Sequence, residues 1–152
     1  MKKLMIWVSI ICIGSSLIGC EKQQAKNDSA ENAVVQNDKI ESTEDFIKLL
    51  EESGYKIKAS KEGNRGTLSG DLTAIDINDD NIFVYEYKDS KQMEEALNTI
   101  SADGSMVGNA EVSWIKPPHL YKSGNIIAIY VGDNKEIIDL INKILGQQFA
   151  GR

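Results

Sequence analysis

Cysteine is almost missing from this 152-residue chain, occurring only as Cys12 and Cys20. Beyond residue 20 there is no thiol, which excludes a disulfide, a cysteine-ligated metal or a cysteine nucleophile from the rest of the chain. Histidine occurs once, as His119, and one imidazole without cysteine makes a poor transition-metal site. Long apolar runs are lacking too. The longest, Leu4 to Leu17, falls short of the roughly 20 residues that span a bilayer. Basic residues are outnumbered, 17 against 23 acidic, for a net charge of −6. Phosphate recognition needs clustered Lys and Arg, so nucleic acid and anionic lipid head groups are excluded as partners of the acidic part. No nucleophile elbow, phosphate loop or HExxH pattern occurs, and nothing calls for a cofactor.

What is present begins with an address. Met1-Lys2-Lys3 is a short positive segment, and the uncharged run after it has the length of a signal-peptide apolar region. Leu17-Ile18-Gly19-Cys20 follows. The four parts in this order resemble the bacterial lipobox, where a lipoprotein signal peptidase cuts before a cysteine bearing a thioether-linked diacylglycerol. The resemblance implies that residues 1–19 are a signal peptide and that Cys20 becomes the acylated first residue. The mature protein is then expected at the extracytoplasmic face of the cell membrane. Losing Lys2 and Lys3 leaves 15 basic residues against 23 acidic, a net of −8. The lipid must hold so acidic a chain at the membrane, and two acyl chains anchor stably where one does not.

From Cys20 to Glu41 the chain is rich in Gln, Asn, Lys, Asp and Ala, with Val34-Val35 as its only apolar pair. A stretch with no apolar period reads as a disordered tether, with an r.m.s. span of about 25 Å. Residues 42–152 are of ordinary size for a single domain.

That domain opens with Ser42-Thr43-Glu44-Asp45 as a helix start, apolar Phe46, Ile47, Leu49 and Leu50, and Gly54 as the stop. Tyr55, Ile57 and Ala59 alternate with lysines and predict a half-buried strand. Glycines 63, 66 and 70 mark a loop. Leu72 to Ile77 and Ile82 to Tyr87 predict a hairpin across Asn78-Asp79-Asp80-Asn81, with Thr73, Ile75 and Ile77, then Phe83, Tyr85 and Tyr87, on a core face. The acidic turn does not read as a calcium loop. Asp76, Asn78 and Asp80 have the spacing, but Asn81 replaces the turn glycine and Tyr87 the bidentate Glu. Asp89-Ser90 predicts a second helix with Met93, Ala96, Leu97 and Ile100 as its stripe. Ile126 to Val131 predicts a buried strand. Asp133 with Glu136 predicts a capping box for a last helix carrying Ile137, Ile138, Ile141, Ile144 and Leu145, stopped by Gly146. Tight turns between strands argue for an α+β fold, an antiparallel sheet of about five strands with about three helices packed mainly on one face.

The densest stretch is SWIKPPHLYKSGNIIAIYVG, residues 113–132, which holds both prolines, the only histidine and the only tryptophan beyond residue 20. Together with the terminal ILGQQFAGR it is similar to the ending of an uncharacterised family of small exported bacterial proteins, many of them lipoproteins. The similarity runs from the first helix to Arg152 and implies a recurring domain without implying a mechanism.

Within this stretch, a binding reading takes Trp114, His119, Tyr121 and Lys122, with Lys116, as amphipathic rings and cations for an envelope protein or carbohydrate. A catalytic reading takes His119 as a base completed by Asp103, Ser105 or Ser113. A structural reading makes His119 a hydrogen-bonded residue after the Pro-Pro turn, and the direction of Trp114 stays open. The expectation is a membrane-anchored extracytoplasmic lipoprotein acting as a non-catalytic binding or accessory module, with a small hydrolase or a structural subunit of an envelope complex as the alternatives.

Overall fold

The computed structural model describes residues 40–152 except Asn64, all within one compact unit. The expected signal peptide, Cys20 and the tether up to residue 39 lie outside the described residues. Among the described residues no helix is long and apolar enough to cross a membrane.

Helix α1 (Thr43–Glu52) begins where the sequence places it. Ser42 accepts from the Asp45 backbone N–H while Asp45 reaches back to the Ser42 N–H, closing a capping box. A second carboxylate acts from a distance, since Glu86 accepts from the Thr43 N–H at 3.0 Å and tethers the positive helix end to the sheet.

The sheet contains β1 (Ile57–Gly63), β2 (Asp71–Ile77), β3 (Asp80–Glu86), β6 (Pro118–Ser123), β7 (Ile126–Val131) and β8 (Ala150–Gly151). Its order is β1-β2-β3-β7-β6-β8, and every neighbouring pair is antiparallel. Helix α2 (Ser90–Leu97) follows β3, the two-residue strands β4 (Met106–Val107) and β5 (Ala110–Glu111) form a separate small hairpin, and α3 (Lys135–Leu145) follows β7. The fold is α+β, with a predominantly antiparallel sheet.

Both faces of the sheet are covered. On one, Phe46 and Leu50 of α1 and Ile137, Ile141 and Leu145 of α3 pack on Ile75, Ile77, Ile82, Val84, Ala128 and Tyr130. On the other, Met93 and Ala96 of α2 and Val107 of β4 pack on Leu72, Tyr85, Leu120, Ile127 and Ile129. Two of the three helices therefore share a face. The hairpin expectation needs correcting, because Ile75 pairs with Ile82 and Thr73 with Val84. Thr73, Ile75 and Ile77 thus face α1, whereas Tyr85 and Tyr87 belong to the opposite layer. Strand β7 is central and buried on both faces, which is why it reads as an unbroken apolar run rather than an alternation.

The turns fix these registers. Asn78 and Asp79 are left-handed, at φ 47° and 66°, and Ile77 pairs directly with Asp80. The hairpin therefore turns on two residues of primed type, a conformation that Asn and Asp tolerate. At the β6–β7 turn, Gly124 has φ 52° and a Cβ there would strike the Ile40 carbonyl, so glycine lets the segment entering α1 lie against the turn. Pro118 opens β6, the strand position where a missing N–H does least harm. The last helix is capped one residue later than expected. Asn134, not Asp133, accepts from the Glu136 N–H, while Asp133 pairs with Lys116 at 3.2 Å.

Candidate functional site

The five ring and cation residues singled out above do not all converge, and only Trp114 and Lys116 line one groove. His119 and Tyr121 alternate with Leu120 along β6, and Tyr121 joins the α1–α3 core while Leu120 joins the α2 layer. Lys122 lies on the α2 side, its Nζ 5.8 Å from the centroid of the Phe149 ring. Trp114 also packs against the α2 layer. The sheet itself divides the set.

His119 is only 8% exposed. Its Nε2 faces the Gly132 carbonyl at 3.1 Å and so donates, its Nδ1 is 2.6 Å from the Gln148 side-chain amide, and its ring stacks on Tyr130 at 5.9 Å between centroids. Both nitrogens are engaged, with a carbonyl and an amide rather than a carboxylate or a nucleophilic hydroxyl. The stack is locked from beyond as well. Tyr130 donates to Asp80, Asp80 accepts from Asn134 Nδ2, and the Asn134 N–H donates to the Tyr130 hydroxyl. A Cβ at Gly132 would collide with the Tyr130 hydroxyl. This network ties β3, β7 and the start of α3 around the imidazole. Tyr121 is fully buried, and its hydroxyl has no hydrogen-bond partner among the described residues. Burial, and then the charge of Asp139, push that phenol up to about 12.

Two of the residues considered for a triad do meet, without the histidine. Asp103 accepts from the Ser101 hydroxyl at 2.7 Å, the Ser105 hydroxyl at 2.8 Å and the Ser105 N–H at 3.0 Å. The Ser105 N–H, then the Ser101 and Ser105 hydroxyls, bring this exposed carboxyl down to about 2. A carboxylate so satisfied shapes a turn and is no base. The turn positions Trp114, whose indole N–H donates to the Gly104 carbonyl at 2.6 Å. Trp114 therefore points inward with an anchored edge, and its neighbours point outward.

That outward side forms the more informative surface. Val112 and Trp114 pack inward, so alternation turns Ser113 and Ile115 to solvent, and Ile115 is 95% exposed. Phe83, on the α2 face of β3, is 36% exposed. Between them runs a groove of about 420 Å³ lined by Phe83, Trp114, Ile115, Lys116 and Val131, with Asp79, Asp80 and Asn81 of the hairpin turn along its side. Exposed bulky apolar side chains sharing a concave surface mark recognition sites more often than isolated ones do. Trp114 was legible as a binding candidate, but Phe83 and Ile115 were not. The signal available for Ile115 was its place in the Val112–Trp114 alternation. Phe83 needed the strand pairing.

Among the described residues no group of three His, Cys, Asp or Glu side chains is placed to hold a metal ion. Compared with protein-family models, curated proteins and solved structures, the chain matches none.

Proposed function

We propose that this chain is an exported lipoprotein, cut before Cys20 and held at the extracytoplasmic face by its diacylglycerol, whose domain serves as a non-catalytic binding module for another envelope protein. The address rests on Leu17-Ile18-Gly19-Cys20 behind a positive start and a short apolar run.

One observation carries the binding reading. A fully projecting Ile115 stands beside the Phe83–Trp114 groove on an inward-anchored tryptophan, so the apolar knob sits on a rigid base and loses little entropy on docking. The acidic hairpin turn alongside favours a partner segment that carries an apolar residue flanked by Lys or Arg. The hydrolase alternative draws no support from His119, whose two nitrogens are occupied.

Two experiments test the halves separately. Cys20→Ser should give unprocessed or released protein that takes up no radioactive fatty acid, and a variant that stays membrane-bound at mature mass overturns the lipoprotein assignment. A photoreactive residue at position 115 should form a discrete protein adduct in intact cells, whereas one at the exposed position 48 should not. Equal adducts at both positions, or none at either, overturn the binding assignment.

A further inference from the structure

Two residues of the β2–β3 turn are left-handed, and the turn accounts for only one of them. Asn78, at φ 47°, holds the first central position of a primed turn, where Asn is among the favoured residues. Asp79, at φ 66°, holds the second, where glycine is preferred. Of the two, Asp79 lines the Phe83–Ile115 groove. A side chain kept on an unfavourable backbone beside a recognition surface points to work that the side chain does there.

The charges around the groove leave that side chain free. Asp80 also lines it, but its Oδ1 accepts from the Tyr130 hydroxyl at 3.2 Å and its Oδ2 from Asn134 Nδ2 at 3.1 Å. Lys116, the cation among the lining residues, has its Nζ 3.2 Å from Asp133. Beyond Trp114, Arg152 is paired with Asp103. Asp76 stands across from Asn81 on one side and from Lys58 on the other. Each nearby cation thus has a carboxylate paired with it or opposite it, and the carboxylates in excess are Asp80, whose oxygens are taken, and Asp79. Asp79 is exposed and has neither a hydrogen bond nor an ion pair among the described residues.

We propose that Asp79 is the specificity-determining residue of the groove, receiving the Lys or Arg of a partner segment whose neighbouring apolar side chain packs on Phe83, Trp114 and Ile115. This rests on the reading of the groove as the docking site. Asp80, fixed by Tyr130 and Asn134, fastens the turn to the sheet and so presents Asp79 in one place. An exposed ion pair adds little affinity. It discriminates well, because a partner with Asp or Glu at the same point meets a like charge.

The test pans phage-displayed random peptides of about ten residues against the immobilised full-length chain in detergent. Peptides are retained when Ile115→Ser, which removes the apolar knob without adding charge, fails to bind them. Lys or Arg should be enriched about threefold or more beside the apolar position of the retained peptides. Asp79→Lys should reverse that enrichment to Asp and Glu. Asp79→Gly should bind the retained peptides about threefold more weakly and yet melt at a higher temperature, whereas a side chain serving only the turn would change stability and leave binding as it was. Retained peptides without the enrichment, selection of the same peptides by Asp79→Lys, or undiminished binding by Asp79→Gly overturns the proposal and leaves the groove standing. Weaker binding by an Asp79→Gly variant that melts lower also overturns it, because the loss then comes from the turn. A library that yields no Ile115-dependent peptide overturns the docking reading and this proposal with it.

Discussion

Tyr121 and Asp103 show how differently two polar groups serve one domain. The Tyr121 hydroxyl is buried without a partner among the described residues, so removing it deletes an uncompensated desolvation. Tyr121→Phe should raise stability by up to about 1 kcal/mol in a denaturant titration, and a loss of more than that would reveal a hydrogen bond. Asp103 acts in the opposite sense. Its carboxyl is lowered from an ordinary 3.8 to about 2 by the Ser105 N–H and the Ser101 and Ser105 hydroxyls. A lowered value means that the turn is stabilised above the ordinary value and loses that stabilisation as pH falls toward 2. Trp114 is fastened to this turn at Gly104, so Trp114 fluorescence should change between about pH 4 and pH 2. Asp103→Asn should lack that change, and an identical titration in the variant would assign it to another carboxyl. His119→Ala removes two hydrogen bonds and a stacked ring, and should destabilise the fold by roughly 2–4 kcal/mol. That exceeds the loss expected of a histidine at an open turn.

Among the elements, the β2–β3 hairpin offers the cleanest test of turn chemistry. Asp79 is left-handed at φ 66° in a position where primed turns prefer glycine. Asp79→Gly should stabilise the domain by roughly 0.5–1 kcal/mol, and a destabilised variant would mean that the Asp79 side chain holds the turn by other contacts. Elements with local signals were legible in the sequence. Ser42 with Asp45 marks α1, Asp89 marks α2, and the Ile126–Val131 run marks β7 because each signal lies within a few residues. What depended on pairing was not legible. Alternation says which residues share a side but not which layer that side meets, so Phe83 and Thr73 read alike until Ile75 is set opposite Ile82. The same limit split the site. His119, Tyr121 and Lys122 are neighbours in sequence, yet a strand sends the first two to one face and the third to the other. The shift of the α3 cap from Asp133 to Asn134 reflects a tertiary pull, because Asn134 is also held by Asp80 across the sheet.

For the molecule as a whole, stability rests on two apolar layers around one sheet, with no cysteine beyond residue 20. Its melting transition should therefore be the same with and without reductant, and a reductant-sensitive melt would contradict a core held by packing alone. Ile129, buried among the α2-face residues, should cost about 2–5 kcal/mol as Ile129→Ala. The central claim is that this stable scaffold works by presenting the Phe83–Trp114–Ile115 surface. The measurement that bears on it most directly compares Ile115→Asp with the unaltered protein, in the melt and in its capture of the partner that cross-links at position 115. Because Ile115 is 95% exposed, the account predicts an unchanged melting temperature and a loss of capture of at least about tenfold. Undiminished capture at an unchanged melting temperature would contradict it.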